Sequence, residues 1–126
     1  MIYLDTHVAA WLYAGLIDRF PPGVRRLLEE SDLLVSPMVE LELQYLYEIQ
    51  RTTEPAAAVI EALGRALGLQ VCELPFPQVA AEALRQSWTR DPFDRLITAQ
   101  AAVRQAALVT KDETIRAHYP KAAWEG

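Results

Sequence analysis

Four acidic residues spread along a chain of 126, Asp5, Glu42, Asp94 and Asp112, are the side chains best suited to do chemistry. Carboxylates gathered in one place repel one another. Two of them at ~4 Å cost roughly 4 kcal/mol at an effective dielectric of 20, so a cluster of three or four takes up protons or recruits a cation. Oxygen-only donors select a hard ion, Mg²⁺ or Mn²⁺. Zinc is not expected, because Cys72, His7 and His118 do not make a plausible ligand set. Both histidines read as ordinary polar residues.

The elements that would position these acids follow from short apolar runs and their punctuation. Ile2 to Asp5 reads as a buried strand and Thr6 to Ala14 as a helix stopped near Gly15. Pro22 to Glu30 is a second helix, and Leu33 to Val35 a strand. Ser36-Pro37 then supplies an N-cap and a first-position proline for a helix through roughly Gln50. Thr53 begins another that Gly68 ends. Leu69 to Leu74 is β-like, Pro77 starts a helix through about Trp88, Asp91-Pro92 starts one through Ala106, and Leu108 to Thr110 is a strand. This alternation is that of a three-layer α/β/α domain with a central parallel sheet, a single domain over 1–126. In such a sheet the strand C-ends and the N-termini of the following helices share the edge where ligands bind. Asp5 closes the first strand, Glu42 lies early in a helix that follows a strand, Asp94 opens a helix, and Asp112 follows the last strand.

Each acid also has a plainer reading. Asp5 or Thr6 can cap the first helix, Asp91 is an N-cap before Pro92, Asp94 suits the third position of its helix, and Asp112 can cap a short turn through His118. Glu42 is different. At 100° per residue it falls in an apolar arc with Met38, Leu41, Tyr45, Leu46 and Ile49, while Glu40, Gln44 and Glu48 share the opposite face. A carboxylate facing a core is costly to ionise unless it is paired or binds metal.

Composition narrows the function. Hydrophobic residues make up 52% and charged residues 23%, enough for a buried core. A net charge of −5 argues against non-specific polyanion binding through the whole surface. A nucleic-acid substrate then needs local help, and Arg90, Arg95 and Lys111 lie beside the proposed site, as phosphate contacts or as counter-ions. One cysteine excludes an intramolecular disulfide, no basic segment precedes a long apolar one, and no apolar run approaches the ~18 residues that span a bilayer. A cytoplasmic protein without membrane contact is the expectation. Trp11, Tyr45, Tyr47, Trp88 and Trp124 are expected to pack a core or a dimer face rather than to stack bases.

The stretches YLDTHVAAWLY, SPMVELELQYLYE, RDPFDRLITAQA and LVTKDETI, in this order and spacing, resemble the PIN-domain ribonucleases, specifically the VapC-type toxins of toxin–antitoxin pairs. The resemblance covers nearly the whole chain. It implies that Asp5, Glu42, Asp94 and Asp112 hold Mg²⁺ or Mn²⁺ and are the catalytic acids. Thr6 and Thr110 would act as outer-shell hydroxyls, and Asp91 is a second acid so near Asp94 that either is the direct ligand. It further implies metal-dependent cleavage of RNA to a 3′-hydroxyl and a 5′-phosphate, homodimerisation, and a groove for a cognate VapB-like antitoxin, with the alanine-rich helices packing closely. Two other functions compete: a catalytically inactive PIN-like module that binds RNA or protein, and a phospho-acceptor signalling domain. The second fits poorly, because it wants paired acids after the first strand.

Overall fold

The computed structural model describes residues 1–125. Five short strands form one sheet: β1 (Ile2–Leu4), β2 (Leu33–Val35), β3 (Gln70–Val71), β4 (Ala107–Val109) and β5 (Ala122–Ala123). Their order is β3-β2-β1-β4-β5 and every pairing is parallel. The register places Ile2 opposite Leu33 on one side and Leu4 opposite Val109 on the other. Helices α1 (Thr6–Ala14), α2 (Pro22–Glu30), α3 (Pro37–Glu48), α4 (Ala56–Leu67), α5 (Phe76–Ala83), α6 (Pro92–Val103) and α7 (Glu113–His118) cover it. Tyr3, Leu4, Val35, Leu108 and Val109 fill the sheet's share of the core, and Val8, Val39, Leu43, Ile97 and Ile115 fill the helices' share. The sheet is therefore buried on both faces, which is why its strands read as unbroken apolar runs.

Local chemistry sets most helix ends. Gly15 and Gly68 adopt φ of 73° and 71° and return their N–H groups to carbonyls of the helices they end, a left-handed conformation that glycine takes without steric cost. Ser36 Oγ accepts the Met38 N–H at 3.0 Å and Pro37 takes the first helical position. No helix is long and apolar enough to cross a membrane, among the described residues.

Four boundaries depart from expectation. Helix α4 begins at Ala56 rather than Thr53, because residues 51–54 bend and the Ala56 N–H is taken by Gln44 Oε1 at 3.1 Å. Helix α5 ends at Ala83, short of Trp88: the Arg95 guanidinium captures the carbonyls of Ala83 and Leu84. Helix α6 stops at Val103, and Gln105 turns the chain with a φ of 52°. The run Leu69 to Leu74 contracts to the two residues of β3. A 3₁₀ turn (Ile17–Arg19) and β5 carry no pattern that sequence alone exposes. Strand β5 is nonetheless held firmly, since Trp124 beside it packs on Trp11 and Phe20 with ring centroids 6.1 and 5.7 Å away.

The apolar arc of α3 also needs correction. Val39 and Leu43 are its buried residues, whereas Leu41, Tyr45 and Ile49 are exposed. Glu42 sits half-buried at the border of the core rather than facing into it.

Candidate active site

The first and last acids meet at the C-terminal edge of β1 and β4. Asp5 N donates to Val109 O at 3.0 Å, continuing the β1–β4 ladder one residue past the strands. Its carboxylate is almost fully buried and doubly held: Oδ1 accepts the Thr6 N–H at 2.8 Å, and Oδ2 accepts the Thr110 hydroxyl at 2.6 Å. Thr110 Oγ1 in turn accepts the Asp112 N–H at 3.0 Å. One buried hydroxyl therefore bridges the Asp5 carboxylate and the backbone N–H of Asp112, more than 100 positions apart. Asp112 itself is exposed and caps α7, with Oδ1 accepting the Ile115 N–H at 2.9 Å.

Glu42 joins from α3, its Oε1 accepting the buried Thr6 hydroxyl. Thr6 and Thr110 thus each present a hydroxyl to a site carboxylate, the arrangement by which outer partners orient metal-binding acids. Asp91 is the N-cap of α6, and its Oδ1 accepts the N–H groups of Phe93 at 2.8 Å and Asp94 at 3.3 Å. The proline at the first helical position lets Asp94 rise from the third, on the first turn of α6.

These groups share one electrostatic field. Burial first, and then the negative charges of Asp91, Asp112, Asp5 and Glu42, push the Asp94 carboxyl up to about 7. Burial also raises Asp5 and Glu42, opposed by the Thr110 and Thr6 hydrogen bonds respectively, while His7 lends both acids a moderating positive potential. The proximity of His7 to both acids was not legible beforehand; its place one residue after Thr6 was the available clue. The ion pairs among the described residues, Arg65–Glu61 and Arg116–Glu125, involve none of the site acids. A set of like charges, partly buried and outside every ion pair among the described residues, fits a hard cation. Among the described residues, no three acidic, histidine or cysteine side chains are already drawn into a coordination shell. The fit thus rests on the donor set and on the mutual repulsion of its charges.

The basic residues are placed unequally. Arg95 is committed to the carbonyls of Ala83, Leu84 and Thr89. Arg90 is exposed, with one guanidinium nitrogen on Ser87 O at 2.8 Å. Lys111 is exposed beside Trp11, its Nζ 5.8 Å from the ring centroid.

A buried first-strand acid, a helix glutamate, an acid on the first turn of α6 and an acid after β4, all at one edge of a five-stranded parallel sheet, correspond to a known pattern. The PIN domain family matches residues 2–119. The chain belongs to that family. Ribonuclease VapC22 of Mycobacterium tuberculosis is 32% identical over 123 residues, 93% of this PIN-domain chain and 91% of its own length. Two solved structures share the PIN fold. VapBC2 from Rickettsia felis, bound to a promoter DNA fragment, matches with a TM-score of 0.64 at 18% identity, covering 100% of this chain and 98% of that one. DNA-bound VapBC from Salmonella typhimurium matches with a TM-score of 0.60 at 21% identity, covering 100% and 98%.

Proposed function

We propose that this PIN-domain chain, one domain across 1–126, is a metal-dependent endoribonuclease and the toxin of a VapBC-type pair. The shared field in which Asp91, Asp112, Asp5 and Glu42 all act on Asp94 carries the reading, since helix capping alone does not require acids remote in sequence to lie so near one another. Asp5, Glu42, Asp94 and Asp112 would hold Mg²⁺ or Mn²⁺. When bound, such an ion activates water and stabilises charge on a phosphodiester. The chain's own part is to orient and to exclude. Thr6 and Thr110 fix two carboxylates, Asp91 fixes the first turn of α6 that presents Asp94, and the buried β1–β4 edge keeps water from the inner side of Asp5. Arg90 and Lys111, exposed beside this edge, would contact the RNA backbone.

The partner reading rests on surface shape. A groove of about 510 Å³ adjoins His7 and is lined by Trp11, Leu43, Leu46 and Val59, with the exposed Arg19 and Arg51 at its rim. It suits an amphipathic, acid-flanked antitoxin segment laid beside the catalytic edge. The homodimer would form through α5 and its C-cap, where Phe76 and Leu84 are widely exposed.

RNA cleavage in Mg²⁺ and in Mn²⁺, comparing wild type with Asp5→Asn and Glu42→Gln, tests the function. Cleavage by the wild type and background rates for both variants are expected. Undiminished cleavage by the two variants would remove the proposed role of the acids.

A further inference from the structure

Helix α3 presents its two apolar sides differently. Val39 and Leu43 enter the core, but Leu41 and Tyr45 are left 40% and 47% exposed. Tyr45 follows Glu42 by three positions, so the two side chains are neighbours on the helix surface. The Tyr45 ring meets Phe93 edge to face, with centroids 5.5 Å apart and planes at 85°. Phe93 directly precedes Asp94 and rests its inner side on the core. Two perpendicular rings, each next to a different site acid, thus form a corner open to solvent and anchored from beneath. Tyr13, Tyr47 and Phe76 are also exposed but belong to none of the aromatic pairs among the described residues. Trp11 and Trp124 pack on Phe20, and Trp88 stacks on His118 with centroids 5.2 Å apart.

We propose that the Tyr45–Phe93 corner is a nucleobase-binding subsite that seats one unpaired base of the RNA beside the phosphate being cleaved. The inference rests on the ribonuclease reading above and adds to it a place for one base of the substrate. Three observations favour a base over a protein side chain as the occupant. The corner shares α3 and the first turn of α6 with the acids, so a strand crossing those acids passes over it. A flat ring face accepts any base without hydrogen-bond readout, and a base has both faces free only where it is unpaired. The perpendicular ring sets a wall that stops the base from sliding, without adding charge to a field already crowded with carboxylates.

The test uses the full chain with Mn²⁺ and a mixed-sequence single-stranded oligoribonucleotide, together with versions carrying a single abasic position at each site in turn. Tyr45→Ala is expected to raise KM on the order of tenfold with kcat little changed, and Tyr45→Phe to restore KM. One abasic position should weaken the wild type by a similar factor and leave Tyr45→Ala unaffected, because the ring and the base act as a pair. Equal KM for Tyr45→Ala and wild type overturns the proposal. So does an abasic effect of the same size in both. A fall in mass of Tyr45→Ala during sedimentation also overturns it, by assigning this face to a second copy of the chain. Fluorescence anisotropy of the same oligonucleotide without metal separates the two readings. If the wild type binds, Tyr45→Ala does not, and neither cleaves once Mn²⁺ is added, the subsite stands and the nuclease reading falls.

Discussion

Asp94 stands where four other carboxylates add to the cost of its own burial, and its carboxyl is held up to about 7 against an ordinary 3.8. A folded-state pKa above the unfolded one means that the folded protein keeps its proton longer. The associated stability is complete below about pH 4 and is lost as pH rises through about 7. Asp5 and Glu42 are shifted in the same direction and steepen the trend. Thermal melts in chelator should therefore show Tm falling across that window, Asp94→Asn should flatten the fall, and Mn²⁺ should raise Tm more at pH 7 than at pH 5; a flat profile for the wild type would contradict the field described. Thr110→Val keeps the side-chain volume while removing the donor to Asp5 and the acceptor for Asp112. It should cost about 1–3 kcal/mol in a denaturant titration and weaken Mn²⁺ binding on the order of 10- to 100-fold in calorimetry. The caps made by Asp5, Asp91 and Asp112 were readable from the sequence, since each precedes a helical run. The Thr110 bridge was not, because it depends on pairing two strands that no local signal connects.

At the scale of elements, proline and glycine marked what the chain could show of itself. Gly15, Pro22, Pro37, Gly68 and Pro92 each fell where a helix starts or stops. The end of α5 was hidden because a residue 12 positions away imposes it: Arg95 fastens the carbonyls of Ala83 and Leu84. Strand β5 was hidden because two alanines have no periodicity to display. The two arginines that flank the α6 start should separate experimentally. Arg95→Ala should destabilise by about 1–3 kcal/mol as its carbonyls lose their partner, while leaving the salt dependence of RNA binding unchanged. Arg90→Ala should do the reverse, barely moving Tm and lowering the salt slope by about one charge. A shared phenotype for both variants would show that the position of Arg90 near the site carries no separate role.

At the scale of the molecule, the three-layer architecture was legible from alternation, whereas the strand order was not, since a parallel sheet leaves its neighbours to be chosen by packing. The sheet's far edge is secured by Trp124 against Trp11 and Phe20. Trp124→Ala should lower stability by roughly 3 kcal/mol, read as a shifted denaturation midpoint. Trp124 also packs on Trp11, over whose ring Lys111 lies, so a smaller loss of RNA affinity should accompany it; unchanged stability would mean that β5 is held by its backbone alone.

Strand β1 is the middle strand of the sheet, and its neighbour β4 follows it by more than 100 residues in the chain. Until residues 107–112 become available, Asp5 has neither its Thr110 donor nor its Asp112 companion. A chain cut short before this segment therefore lacks the hydroxyl that holds the buried Asp5 carboxylate. A premature stop before Ala107 should accordingly yield a fragment that fails the RNA-cleavage assay proposed above.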